Sequence, residues 1–259
     1  MLRALFERGV VPDLIVGTSI GAMNGAAVAA APTLETIDKL EDMWTTLDKN
    51  EVFSGSMLAG AANLVKTRTS LQPNQPLRRL IKKMLPTSTF EELAVPFQCV
   101  AASIETAAEH WFSEGPLIDA ILASSAVPGV LPPVKIGNEH FIDGGIVNSI
   151  PIGRAVELGA TEVFVLQVGR IERPLTVPKN PWQVGMVSFE VARRHRFARD
   201  MASLPEGVIA HVLPTGDGAA PRYDSLGNLR YKNFKSVGRN IKLAYEASAE
   251  YLSKERPGG

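Results

Sequence analysis

The chain has 259 residues, 45% of them hydrophobic, with 27 basic and 27 acidic side chains and a formal net charge of zero. That length can bury a substantial core, and the charge balance excludes the strongly basic surface by which proteins hold nucleic acid. The single cysteine, Cys99, excludes an internal disulfide and fits a reducing, cytoplasmic setting.

The elements follow in chain order. Charges interrupt Met1 to Arg8 where a secretory leader would be apolar. Leu2, Leu5 and Phe6 form the stripe of a first helix that closes at Arg8-Gly9. Asp13 to Val16 reads as a short strand ending at Gly17, and Ala22 to Ala31 as a small-residue helix, about half the ~20 apolar residues a membrane span needs. Leu34, Ile37, Leu40, Trp44 and Leu47 recur at helical steps, as do Leu77, Leu80, Ile81, Met84 and Leu85. Between them Phe53 to Val65 is uncharged and mildly apolar, which suits either a lid or acyl-chain wall or ordinary core packing. Phe97 to Ala102 is a second strand, in which Cys99 reads as a small buried hydrophobe.

Pro116 to Ala126 and Pro151 to Leu158 each open with a proline suited to a first helical turn. Val134 to Ile142 predicts a hairpin turning at Gly137-Asn138. Glu162 to Val168 and Val208 to Leu213 are further strands, and Trp182 to Leu204 and about Tyr231 to Leu252 are long helices. Arg170 to Pro181 and Pro214 to Asn228 are rich in turn residues and read as surface loops. Continuous apolar runs suit strands buried on both faces. The expectation is an α/β, three-layer sandwich: a central, mostly parallel sheet with helices on both faces. It forms one domain over residues 1–254, with a short tail at 255–259.

Gly17-Thr18-Ser19-Ile20-Gly21 matches G-x-S-x-G between a strand and a helix, the setting of a nucleophile elbow. The spacing has a chemical reason. The serine must stand on a sharp turn, and flanking glycines remove Cβ atoms that would collide there. The following helix points its N-terminus at the reacting centre, favouring developing negative charge. The bland alternative is a glycine-rich turn whose serine caps the helix.

A second motif, Asp143-Gly144-Gly145, follows the hairpin. It is preceded by Ser124-Ser125-Ala126-Val127-Pro128-Gly129 and followed by Asn148-Ser149-Ile150-Pro151. With these landmarks in order, the chain resembles the patatin-like phospholipase family from Met1 to about Gly169, and more loosely beyond. The resemblance implies Ser19 as nucleophile and Asp143 as its base, a Ser-Asp dyad that works through an acyl-enzyme. It implies a lipid ester substrate of the phospholipase A or lysophospholipase type, and no metal or organic cofactor. A carboxylate within hydrogen-bond reach can take the serine proton directly. The alternative for Asp143 is a D-G-G turn in which the carboxylate caps its own backbone. Gly144 and Gly145 are expected to let the backbone turn there.

One feature departs from the family pattern. A strand and a glycine-rich loop ahead of the first helix supply its oxyanion donors, and these 259 residues carry no such loop. Two readings follow: a start internal to a longer chain, or a catalytically impaired member that binds lipid or protein. By analogy with nucleophile elbows, the Ile20 N–H is one remaining donor.

Of the four histidines, His211 lies in a strand-like run and His140 in the hairpin, so a Ser-His-Asp triad is disfavoured. No cluster has metal-ligand spacing. Arg193, Arg194, His195, Arg196 and Arg199 make one helix basic. Either they are a solvated face paired with Glu190 and Asp200, or they rest on anionic headgroups as a peripheral membrane contact.

Overall fold

The computed structural model describes residues 1–47, 70, 73–167, 174–216 and 237–255. In chain order its elements are α1 (Leu2–Phe6), β1 (Ile15–Gly17), α2 (Ile20–Ala30), α3 (Leu34–Thr46), α4 (Gln75–Met84) and β2 (Phe97–Ser103). These are followed by β3 (Ala108–Phe112), α5 (Leu117–Ser124), β4 (Val134–Ile136), β5 (Glu139–Asp143) and α6 (Gly145–Asn148). The last are α7 (Ile152–Glu157), β6 (Glu162–Val165), α8 (Pro181–Ala202), β7 (Ile209–Val212) and α9 (Val237–Glu255). The fold is mixed α/β, with a central sheet flanked by helices. Two compact units emerge: Pro12–Pro32 with Asp48–Pro151, and Met1–Val11 with Thr33–Leu47 and Ile152–Gly259.

The first unit is organised around β2. Strand β1 runs parallel to its first half, with Ile15 opposite Phe97 and Gly17 opposite Cys99. Strand β5 runs antiparallel to its second half, with Phe141 opposite Ser103 and Asp143 opposite Ala101. The β3 partner spans Cys99 to Ser103. Because β3 shares Cys99 with β1 and Ala101 to Ser103 with β5, it must take one edge of β2 while β1 and β5 share the other. Two strands arriving from opposite directions therefore end facing each other across Val100. Beyond β5, β4 closes a hairpin through Gly137 at φ +60°.

The mostly parallel sheet expected from the sequence is corrected here. Among the described residues, only β1–β2 is parallel in the five-stranded sheet, and the other parallel pair, β6–β7, lies in the second unit. The connections β2–β3 and β4–β5 are too short to cross over, so they impose antiparallel pairing. Strand β3 was not anticipated, because Ala108-Glu109-His110-Trp111-Phe112 neither alternates nor forms an apolar run.

Helix α2 lies close against the sheet. Ala22, Met23, Ala26, Ala27, Val28 and Ala29 are buried, and a Cβ at Gly25 would sit 3.0 Å from the Ile15 side chain and 3.2 Å from Phe97. Small residues on nearly every face are what such an approach needs. Helix α5 buries Leu117, Ile121 and Leu122 almost completely, each contributing about 1.5–3 kcal/mol.

In the second unit α1 ends as expected. The Gly9 N–H reaches the Phe6 carbonyl and the Val10 N–H the Leu5 carbonyl, both at 3.0 Å, with Gly9 at φ +71°. Thr33 caps α3 by accepting the Thr36 N–H at 3.2 Å, and α1, α3 and α9 pack together. Asn180 caps α8, accepting the Gln183 N–H at 2.9 Å, with Pro181 in the first turn. No helix among the described residues is long and apolar enough to cross a membrane. The Phe53 to Val65 segment, residues 217–228 of the second loop, the start of the last helix at Tyr231 and Phe234, and tail residues 256–259 lie outside the described residues.

Candidate functional site

Where β1 and β5 end across Val100, their next residues carry the two motifs. Ser19 follows β1 by two positions and Asp143 is the last residue of β5. Ser19 Oγ donates to Asp143 Oδ2 at 2.7 Å.

The turn that presents Ser19 is strained. Its φ of 55° and ψ of −121° lie where non-glycine residues are rarely found, at a cost on the order of 1–3 kcal/mol. The serine precedes α2 as its N-cap, yet its side chain makes no capping bond. The hydroxyl that a capping serine would spend on the helix is directed at the carboxylate instead.

Neighbouring bonds hold this geometry. The Thr18 hydroxyl, buried, donates to the Asn148 backbone carbonyl at 2.8 Å. The Ala22 and Met23 N–H groups both reach the Ser19 carbonyl, at 2.9 and 3.1 Å. A Cβ on Gly17 would lie 2.6 Å from the Gly21 carbonyl oxygen and 2.8 Å from Ala22 Cα, so residue 17 must be glycine for the turn to close. The expectation that both motif glycines make room fails at Gly21, where a Cβ would meet nothing within 4 Å. Gly21 is exposed and leaves open space next to the serine. Ile20 begins α2 and is also exposed, and the first N–H groups of a helix have no acceptor within it.

Asp143 is 4% exposed. Its Oδ1 accepts the Gly145 N–H at 2.7 Å while Oδ2 accepts from Ser19. The turn-capping reading and the dyad reading thus describe one carboxyl group, an oxygen each. Burial raises its pKa from 3.8 to about 6, against the lowering effect of the Gly145 N–H and the Ser19 hydroxyl. The expected role of Gly144 needs a correction. Its φ of −63° and ψ of −17° suit any residue, but a Cβ there would fall 2.1 Å from the Val100 carbonyl oxygen. Glycine is required by close approach to β2, not by the turn.

In the sequence, Ser124-Ser125-Ala126 is a landmark only. In the structure Ser124 Oγ accepts the Ser19 N–H at 2.9 Å, its carbonyl accepts the Gly144 N–H at 3.2 Å, and the Ala126 carbonyl accepts the Asp143 N–H at 2.9 Å. The serine-rich end of α5 was the available signal.

His211 belongs to the second unit, where Nδ1 is 3.2 Å from the Tyr251 hydroxyl and Nε2 3.2 Å from Glu162. His140 is half exposed and 2.7 Å from Glu105. Cys99 is fully buried, which pushes its thiol pKa far up. On α8, Arg193 and Arg194 both bind the buried Glu190 at 2.8 Å, and Arg196 binds Asp200 at 2.9 Å, while His195 and Arg199 are exposed.

A family model described as "Patatin-like phospholipase" matches residues 1–156. Lysophospholipase nte1 of Aspergillus terreus is 28% identical over 280 aligned residues, covering 100% of this chain and 17% of its own length. Lysophospholipase NTE1 of Mycosarcoma maydis is 27% identical, covering 66% of this chain and 9% of its own. Patatin-like phospholipase domain-containing protein ZK370.4 of Caenorhabditis elegans is 28% identical, over 66% and 12%. The chain therefore spans less than a fifth of the length of these curated relatives. The crystal structure of VipD from Legionella pneumophila aligns with 98% of this chain and 63% of its own, at a TM-score of 0.47 and 14% identity.

Proposed function

We propose, because this chain belongs to the patatin-like phospholipase family, that it is a lipid acyl ester hydrolase of the phospholipase A or lysophospholipase type working through Ser19 and Asp143. The observation that carries the reading is the 2.7 Å bond from Ser19 Oγ to Asp143 Oδ2, made by a serine held in a strained turn. Strain of that kind concentrates at functional sites.

The chemistry follows from the two groups. Asp143 takes the Ser19 proton as Oγ attacks the ester carbonyl, and the carbonyl electron pair moves onto oxygen. The Ile20 N–H is one donor for that oxyanion. Collapse expels the alcohol, which leaves with the proton held by Asp143, and an acyl-serine remains. Asp143 then takes a proton from water, the resulting hydroxide attacks the acyl-serine, and the fatty acid departs as the proton returns to Ser19. A base with a pKa of about 6 is mostly ionised at neutral pH and close enough to it for efficient transfer.

A fluorophosphonate probe and a long-chain ester assay test this together. The wild type should be labelled and active. Ser19→Ala should be neither, and Asp143→Asn should lose roughly 10³-fold or more in kcat. An unlabelled, inactive wild type would favour a lipid- or protein-binding role instead.

A further inference from the structure

The strained backbone of Ser19 has one restraint that comes from a side chain distant in sequence. Ser124 is completely buried at the C-terminal end of α5, and its hydroxyl oxygen accepts the Ser19 N–H at 2.9 Å. The same short segment holds the other half of the pair. The Ser124 carbonyl accepts the Gly144 N–H at 3.2 Å, and the Ala126 carbonyl accepts the Asp143 N–H at 2.9 Å. Ser124 and Ala126 therefore bridge both sides of the Ser19–Asp143 bond. The Asp143 side is held by backbone carbonyls, which no side-chain substitution removes. What this segment gives the Ser19 side is one hydroxyl.

We infer that Ser124 is a positioning residue, whose hydroxyl anchors the Ser19 backbone so that Oγ stays in line with Asp143; the inference rests on the dyad reading above. The physical argument concerns what keeps an unfavourable conformation in place. A residue at φ 55° persists only where its surroundings over-determine it. The Gly17 contact and the Thr18 anchor restrain the residues before Ser19, and the Ala22 and Met23 N–H groups hold its carbonyl. Ser124 restrains the N–H of Ser19 itself. Removing its hydroxyl leaves that N–H without its acceptor and frees the turn to relax toward ordinary φ values. The Ser19 side chain then swings away from Asp143.

The adjacent residue supplies an internal control. Ser125 is also buried at the same helix end, but its Oγ has no hydrogen-bond partner among the described residues. Ser125→Ala removes the same atoms from the same place without removing a bond.

Ser124→Ala, Ser124→Cys, Ser125→Ala and Ser19→Ala should be compared in kcat, KM and melting temperature on a long-chain nitrophenyl ester. The expected result for Ser124→Ala is a kcat lower by about 10–100-fold with KM within about twofold. Ser124→Cys keeps the side-chain size with a weaker acceptor and should fall between Ser124→Ala and wild type. It decides the matter should Ser124→Ala melt below the assay temperature. Ser125→Ala should match wild type. The inference is overturned if folded Ser124→Ala or Ser124→Cys turns over at the wild-type rate, or if Ser125→Ala is as damaging as Ser124→Ala. Wild-type hydrolysis by Ser19→Ala would instead sink the dyad reading beneath it, whatever Ser124 does.

Discussion

Asp143 answers two opposed demands. Its ionised form is the one that accepts a proton, yet it is 4% exposed, and burial raises its pKa to about 6. Between the ordinary value of 3.8 and about 6 the folded chain binds more protons than the unfolded one, so this residue's contribution to stability falls as pH rises through that window. At neutral pH the ionised carboxylate costs on the order of 2–3 kcal/mol. Asp143→Asn should therefore be nearly inactive but more stable than wild type at pH 8, by about 1–3 kcal/mol. The advantage should shrink as pH drops towards 4. Urea melts at the two pH values check it, and equal stability at pH 8 would contradict the burial argument. In the wild type, kcat/KM should decline below about pH 6 as Asp143 takes up its proton.

Glycines 17 and 21 frame the serine symmetrically in sequence and differ in space. Gly17→Ala places a methyl 2.6 Å from the Gly21 carbonyl oxygen, where neither backbone can yield alone. It should destabilise by about 1–3 kcal/mol and abolish fluorophosphonate labelling. Gly21→Ala meets nothing within 4 Å and lies in the first turn of α2, where alanine is the better helix former. It should fold at least as stably as wild type, with any effect confined to KM. Thermal melts and labelling of both variants decide between the two expectations.

Among the elements, α8 shows how a run of basic residues is accommodated. Glu190 is 2% exposed and receives both Arg193 and Arg194, whose side chains are 13% and 17% exposed. Glu190→Gln keeps the shape and removes the negative charge shared by two partly buried guanidinium groups. Breaking a fully buried pair costs about 3–5 kcal/mol, and the partial exposure of the arginines reduces this to about 1–3 kcal/mol. The exposed pair Lys39–Glu35 sits at 72% and 75% exposure. Its removal should change stability by less than about 0.5 kcal/mol. Denaturant midpoints of Glu190→Gln and Glu35→Gln test the contrast. Two equal, small shifts would show that the Glu190 contacts are energetically ordinary.

For the whole molecule, the proposed ester hydrolysis makes the acyl group of the substrate the property to test. Ile20, Val127 and Ile146 are each 37% exposed, and they lie on the three segments that carry or hold Ser19 and Asp143. Aliphatic side chains left exposed on those segments favour a substrate that brings apolar surface of its own. Long-chain or micellar esters should therefore be hydrolysed with a higher kcat/KM than acetyl esters. The measurement is a chain-length series of nitrophenyl esters from acetyl to palmitoyl. A clear acetyl preference would argue against a lipid substrate.

Features governed by neighbours in the chain were legible from the residues alone. The Schellman turn at Gly9, the hairpin at Gly137-Asn138 and the apolar runs of β2, β6 and β7 depend on local conformation and period, which sequence order carries directly. So did Ser19 and Asp143 as candidates, because a strand-turn-helix motif and a D-G-G turn are local patterns. Outside the β4–β5 hairpin, strand direction in the central sheet was not legible: the apolar runs suggested parallel pairing, whereas β3 and β5 both run antiparallel to β2. Nor was the reason for Gly144, which lies in the carbonyl of Val100, a residue 44 positions earlier on another strand. The same holds for Ser124, whose partner is 105 residues away. Which side of β2 each strand takes, and so which side chains meet across Val100, depends on contacts between distant parts of the chain. Period and propensity describe what each segment prefers, and only the packed sheet decides which of those segments come together.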